Sequence, residues 1–378
     1  MKFYVQKSDI VEHLQHLINI VPGKNAMPIL VNYLIKADEE KGILTFIVSN
    51  LEVIVSCDIE ARIIEGGVTA INAKHMNDII NSLPDSEIAF YTDENKFHIV
   101  AEHSRFNLVM SQPEFFPAVP PINEQNKISL DADLFKTMVT KTVFATSTDK
   151  SKPVYTGVFW QIFKDKQTMV ATDGKKLARV NLNIESGIED EKLEYIVPAK
   201  TLTFIQKIIN EQDELLAFFE KTRIVFKYKN YTVFTTLIIS RYPKYERVIP
   251  QDNDKVLVID KSLFMEVIKR ASLLSNELYS LVTLEISKTS FTVYSEDEEE
   301  GEARENITDY EYEGDDLKIA FNFRYLTNIL SLIDTQKVQI LMKQYDVPAL
   351  FYNYPKDNEK VDVLLLLMPL GLRELDNK

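Results

Sequence analysis

The sequence predicts an α+β fold built from three tandem copies of one unit, each with two helices backing an antiparallel sheet. Three observations lead there. A strand-like motif ending in a polar residue recurs every 123 residues, a helix opening with a basic residue recurs in step with it, and proline-containing connections separate the copies.

A helix opens each copy after a short strand. Apolar residues fall at helical spacing at Ile10, Leu14, Leu17 and Ile18, again at Phe135, Met138, Val139 and Thr142, and again at Phe264, Val267, Ile268 and Ala271. The strand motif follows as Thr45–Ser49, Thr168–Thr172 and Phe291–Ser295. A second helix opens with Lys74, Lys200 and Arg324, which lie 126 and 124 residues apart. Its apolar stripe is Met76, Ile79, Ile80 and Leu83 in the first copy, Leu202, Ile205, Ile208 and Ile209 in the second, and Leu326, Ile329, Leu330 and Ile333 in the third.

Segments rich in Val, Phe, Tyr, Thr and Ile, such as Arg223–Tyr228 and Tyr231–Ile239, read as antiparallel strands. The connections Pro113–Pro121 and Tyr242–Pro250 share an aromatic-proline pair, Phe116-Pro117 and Tyr242-Pro243, and put the boundaries at 1–122, 123–251 and 252–378.

Composition narrows the function. With 378 residues the chain exceeds one ordinary core, and 45% hydrophobic against 26% charged residues is a globular balance. No apolar run reaches the roughly 18 residues of a membrane span and Met1–Ile10 has no leader pattern, so the expected location is the cytoplasm. The single cysteine, Cys57, excludes an intramolecular disulfide and sits in an apolar run that reads as core.

A net charge of −14 opposes nonspecific attraction to phosphates, so a nucleic-acid partner would need a segregated basic face. Only 10 glycines occur and none forms a phosphate-cradling loop, so no nucleotide or other cofactor is expected. His13 and His16 lack further ligands at matching spacing, so they read as a solvated or DNA-facing helix surface and no metal is expected. The acidic run Glu296–Glu300 with Glu302 reads as a solvated hairpin tip.

The stretch Val170-Ala171-Thr172-Asp173-Gly174-Lys175-Lys176-Leu177-Ala178-Arg179 carries a resemblance that covers essentially the whole chain. It is similar to the V-A-T-D-[GS]-H-R-L-A signature of the bacterial DNA polymerase III beta subunit, the processivity clamp. Ser49–Val53, Ser104–Phe106, Arg241–Pro243, Arg247–Pro250 and Leu274–Glu277 support it in order. The chain departs from the family at Lys175-Lys176, where His-Arg is usual, at Leu278–Ser280, where a basic residue is expected, and at the residues Gly371–Lys378 beyond Met368-Pro369-Leu370. Lysine cannot reproduce the planar fork of arginine.

The resemblance implies a non-catalytic protein, a head-to-tail homodimeric ring around duplex DNA with helices lining the hole. It implies a pocket for short apolar-aromatic peptides of the replicative polymerase, the clamp loader and other clamp-binding proteins. Carried over residue by residue, that pocket comprises Tyr155, Thr172, Gly174, Lys175, Lys176, Leu177, Pro243, Arg247, Val248, Leu366, Met368, Pro369 and Leu370. Read alone, Leu364–Pro369 is a buried terminal strand and Thr172-Asp173-Gly174 a hairpin turn.

The DNA-facing candidates are Lys24, Lys74, Lys150, Lys152, Lys200, Lys207 and Arg324, which would touch phosphates without reading sequence. Phe106 and Leu108 at one end and Leu273 and Leu274 at the other are the expected dimer contacts. A metal-dependent nuclease with an acidic site and a peptide-binding scaffold that forms no ring remain the alternatives.

Overall fold

Each of the three repeats forms its two helices where the apolar spacing puts them: α1 (Lys7–Leu17) and α2 (Ala73–Ser82), α3 (Ala132–Val143) and α4 (Ala199–Ile208), α5 (Lys261–Ala271) and α6 (Phe323–Ser331). The computed structural model describes residues 1–23, 27–124, 126–188, 191–210, 213–275, 280–297, 301–356 and 360–370. Lys24, residues 276–279 of the third-repeat motif, residues 298–300 of the acidic run and Gly371–Lys378 lie outside the described residues.

The second helix of each repeat starts one residue before its basic side chain, at Ala73, Ala199 and Phe323. Asn72 and Asn322 cap two of them: Asn72 Oδ1 accepts from the His75 amide at 3.0 Å, and Asn322 Oδ1 from the amides of Arg324 and Tyr325 at 3.0 and 3.2 Å. Pro198 precedes the remaining one, α4, and provides no side-chain cap. The inward stripes are buried as expected, with Met76, Leu202, Ile205, Leu326 and Ile329 all at 0% exposure.

Among the described residues the strands lie in four antiparallel sheets. Two of them run across a repeat boundary. In the eight-stranded sheet Lys127–Asp131, Glu214–Phe219, Arg223–Tyr228 and Tyr231–Thr236 of the middle repeat continue into Val53–Glu60, Ile43–Ser49, Asn32–Asp38 and Gly67–Asn72 of the first. The join is a regular ladder from Tyr231↔Cys57 to Thr235↔Val53. In the nine-stranded sheet Lys192–Pro198, Gly157–Phe163, Gln167–Thr172 and Lys176–Leu182 continue into Val361–Leu367, Ala349–Tyr354, Lys337–Met342, Lys255–Asp260 and Glu311–Glu313 of the third, joined from Lys176↔Leu367 to Leu182↔Val361.

The two smaller sheets end in open strands. The five-stranded one runs Arg62–Glu65, Lys2–Gln6, Glu87–Asp93, Lys96–Ala101, Ser104–Val109, and the four-stranded one Gly301–Ile307, Phe291–Asp297, Leu281–Ile286, Leu317–Asn322.

Packing therefore cuts across the repeats. The chain divides into two compact units, Met1–Lys136 with Val197–Ile239 and Thr137–Ile196 with Ser240–Lys378, so the middle repeat is shared between them. The cause is in the sequence: Val53, Val55, Cys57 and Ile59 are all buried, and without Tyr231–Thr236 beside them their strand would present an unpaired edge.

Three local expectations change. The strand expected over Tyr231–Ile239 ends at Thr236, because the Leu237 amide turns to the Thr222 carbonyl at 2.9 Å and Ile239 is 73% exposed. Glu296 and Glu302 are strand residues facing each other in the ladder rather than part of a turn. The solvated or DNA-facing helix surface expected at His13 and His16 is only partly open to solvent: both imidazoles are half-buried against Tyr231. Cys57 is fully buried, which pushes its thiol well above the ordinary range. Among the described residues no helix is long and apolar enough to cross a membrane.

Candidate functional site

The signature stretch of the middle repeat forms a hairpin inside the second compact unit. Strands Gln167–Thr172 and Lys176–Leu182 pair through Thr172↔Leu177, leaving Asp173–Lys175 as the tip. Asp173 Oδ1 accepts from the Lys175 and Lys176 amides, both at 2.9 Å, and Thr172 Oγ1 donates to the Lys176 carbonyl at 2.7 Å while accepting from the Gly174 amide at 3.1 Å. Gly174 has φ +88°, a conformation glycine adopts without a Cβ penalty. These side-chain bonds let a short tip hold one shape.

The chain's terminal strand docks on that hairpin. Leu177 faces Leu366, and beyond the ladder the Met368 amide donates to the Lys175 carbonyl at 2.9 Å and the Leu370 amide to the Ala320 carbonyl at 2.8 Å. Thus Thr172–Leu177 and Leu366–Leu370, almost 200 positions apart in sequence, are brought together.

The connection at Tyr242–Pro250 crosses the same sheet. Tyr242 stacks on Phe159 with ring centroids 4.8 Å apart, and Tyr245 Oη donates to Gln161 Oε1 at 3.1 Å. Burial pushes both phenols up, Tyr245 to about 12. The Tyr242 hydroxyl lies within electrostatic reach of Tyr155 and of the Thr172 backbone, which brings Tyr155 into the same neighbourhood.

The expected pocket residues differ in burial. Leu177 and Leu366 are 1% and 2% exposed, whereas Val248 and Met368 are 52% and 37% exposed. Tyr155, Thr172, Pro243, Pro369 and Leu370 are half-buried, and Gly174, Lys175 and Arg247 are exposed. Lys176 takes another role than a pocket-lining cation. It is 6% exposed, its Nζ forms an ion pair with Asp173 Oδ2 and lies 4.7 Å from the ring centre of Tyr325. Tyr325, Tyr242 and Phe159 were not among the expected residues. Helical spacing sets Leu326 and Ile329 inward and says nothing about the half-buried Tyr325 beside them.

The basic candidates are all exposed: Lys74, Lys200 and Lys207 in the first unit, and Lys150, Lys152 and Arg324 in the second. Among the described residues none of them forms an ion pair, whereas strand cations such as Arg62, Arg179, Arg223 and Lys337 are each matched with a carboxylate. Lys200 and Lys207 share a face of α4, and Lys74 and Arg324 each sit second in their helix.

At the ends of the chain, Phe106 and Leu108 are half-buried on the open edge strand Ser104–Val109, where the next residue, Val109, is 79% exposed. Leu273 is 76% exposed and Leu274 half-buried in the turn Ser272–Leu274, which packs beside the open edge strand Gly301–Ile307. Among the described residues no three His, Cys, Asp or Glu side chains cluster as a metal site.

Comparison with known proteins gives a uniform result. The sequence matches three models of the DNA polymerase III beta subunit: the N-terminal domain at residues 1–120, the central domain at 129–244 and the C-terminal domain at 246–369. It is 29% identical over 375 residues to the beta sliding clamp of Staphylococcus epidermidis, covering 97% of this chain and 98% of that protein, and 28% identical over the same spans to the beta sliding clamp of Staphylococcus aureus. The fold is similar to that of the DNA polymerase sliding clamp from Bacillus subtilis, with TM-score 0.89 and 26% identity over 98% of this chain and 99% of that one. A DnaN sliding clamp from Bartonella birtlesii bound to griselimycin gives TM-score 0.91 and 27% identity over 98% and 100%.

Proposed function

This chain belongs to the DNA polymerase III beta subunit family, the bacterial sliding clamps, which are non-catalytic processivity factors, and from that premise we propose that it acts as a head-to-tail homodimeric ring around duplex DNA. The domains are then the three repeats, 1–122, 123–251 and 252–378, and two copies supply six similar units. The workplace is the cytoplasm.

In this reading the open edges Ser104–Val109 and Gly301–Ile307 pair across the junction, because each presents unsatisfied backbone groups beside exposed apolar side chains: Val109 with Phe106 and Leu108 on one side, Leu273 with Leu274 on the other. The unpaired helix cations Lys74, Lys200, Lys207 and Arg324, with Lys150 and Lys152, face the DNA. They hold phosphates without reading bases, which lets the ring slide.

One observation carries the partner assignment. The terminal strand docks on the signature hairpin with Leu366 facing Leu177, and Met368 beyond it is 37% exposed. In this reading Met368 and the exposed Val248 form the apolar lip of a groove with Leu177 and Leu366 as its floor, completed by Tyr155, Thr172, Pro243, Pro369 and Leu370. Such a groove suits short apolar-aromatic peptides of polymerase, loader and other clamp-binding proteins, which compete for it. Methionine adapts to several sequences sharing a loose motif.

The test joins a mass measurement in solution with retention on DNA. A dimer of the 43.6 kDa chain that stays on nicked circular DNA and runs off linear DNA is the expected result. A monomer at micromolar concentration, or equal retention on both DNAs, refutes the ring.

A further inference from the structure

We propose that His13, His16 and Tyr231 form an acid-sensitive latch that fastens α1 of the first repeat to strand Tyr231–Thr236 of the second, inside the first compact unit. The two imidazoles bracket one phenol. Tyr231 Oη lies 2.5 Å from His13 Nδ1 and 3.1 Å from His16 Nδ1.

A hydroxyl has one proton to give, so with both imidazoles neutral one ring accepts it and the other donates its own N–H to the phenol oxygen. That arrangement uses two neutral rings in opposite tautomers, with the Cys57 thiol hydrogen-bonded to the same phenol. Adding a proton to the accepting ring removes its lone pair, crowds a second N–H onto the phenol oxygen and leaves the phenol proton only the soft Cys57 sulfur as acceptor.

The surroundings leave little room for a positive charge. The strand Val53–Glu60 contributes the buried thiol of Cys57 and the Asp58 carbonyl, both of which accept from Asn230 Nδ2, at 3.3 and 2.9 Å. That same nitrogen is 3.4 Å from His13 Nε2. From α4, the ring of Phe204 packs edge-on against Tyr231 with centroids 6.2 Å apart, and Lys207 sets its own positive charge against His16. On α1 itself Glu12 attracts a proton to both imidazoles and Asp9 attracts one to His13, while His16 repels one from His13.

Desolvation is the largest influence and prevails over those carboxylates, so both imidazoles are held below the ordinary value of 6.5. The folded chain then binds fewer protons than the unfolded one. The stabilisation is complete above about pH 6.5 and is lost as pH falls below it.

Where this acts matters, because the latch sits on the ladder from Tyr231↔Cys57 to Thr235↔Val53 that makes one sheet of two repeats. Acid loosens the seam between repeats before it touches the second unit. All five histidines, His13, His16, His75, His98 and His103, lie in the first unit and none in the second.

Hydrogen exchange of the full chain by mass spectrometry, corrected for intrinsic rates, tests it. From pH 8 to 5.5 the opening constants of α1 and of Tyr231–Thr236 should rise by up to about tenfold per imidazole, while Gln167–Thr172 in the second unit stays constant. The double variant His13→Gln/His16→Gln should flatten that dependence. A flat wild-type profile, or an unchanged slope in the double variant, overturns the latch. Should the variant fail to fold, an NMR titration of the imidazoles in the wild-type chain decides. Midpoints below 6.5 for His13 and His16 support it, and midpoints at or above 6.5 sink it.

Discussion

Replacing Met368 by alanine isolates the lip of the proposed groove. The side chain is 37% exposed in the free chain, so a peptide seated over it removes roughly 70 Å² of methionine surface from water, about 2 kcal/mol at ~25 cal/mol per Å². Alanine retains its methyl group, and the expected loss is about 1 to 2 kcal/mol, roughly five- to thirtyfold in Kd. The backbone should not move, because what anchors this residue is its amide on the Lys175 carbonyl at 2.9 Å, which alanine preserves. Calorimetry with a short Leu-Phe peptide reads the affinity, and light scattering on the same sample reads the dimer. Weaker binding with an intact dimer is expected. Affinity equal to the parent's would place the peptide somewhere else on the chain.

Leu273→Asp should split the dimer without unfolding the chain: Leu273 is 76% exposed in the single chain, and a charge buried unpaired at an apolar junction costs several kcal/mol. Sedimentation that still shows a dimer would move the junction elsewhere. Lys200→Ala with Lys207→Ala should shorten residence on circular DNA and lower the log-log salt slope by about 0.9 for each phosphate no longer neutralised, and an unchanged slope would take α4 off the DNA. Residues 1–122 made alone should aggregate or lack a cooperative transition, since Val53–Glu60 would lose its partner strand. A monomeric fragment with a sharp melt would show that the ladder to Tyr231–Thr236 is dispensable.

The repeats were legible because helix burial follows a strict period. Ile10, Leu14 and Leu17, or Phe264, Val267, Ile268 and Ala271, announce an inward face that the structure buries almost completely. The hairpin at Asp173–Lys175 was legible for a local reason too, since aspartate and glycine at these positions answer to backbone geometry within a few residues. What escaped was long-range. The role of Lys176 depends on Asp173 close by but also on Tyr325, and no spacing rule predicts that pairing. His13 and His16 read as a solvated or DNA-facing surface because polar residues on a helix are usually exposed, and their partial burial comes from Tyr231, more than two hundred positions later.

The deepest of these long-range facts is that repetition in sequence is not repetition in packing. Three similar units could have closed three separate sheets. Here Val53–Glu60 and Lys176–Leu182, the corresponding strands of the first and middle repeats, are each completed by the last strand of the following repeat, Tyr231–Thr236 and Val361–Leu367. In the third repeat the corresponding strand Gly301–Ile307 is left open among the described residues, as Ser104–Val109 is in the first. Open edges with exposed apolar neighbours are a liability for a monomer. For a chain that joins a second copy end to end, they are the two ends of a ladder still to be completed, and the same pairing that makes one sheet from two repeats would then make one from two chains.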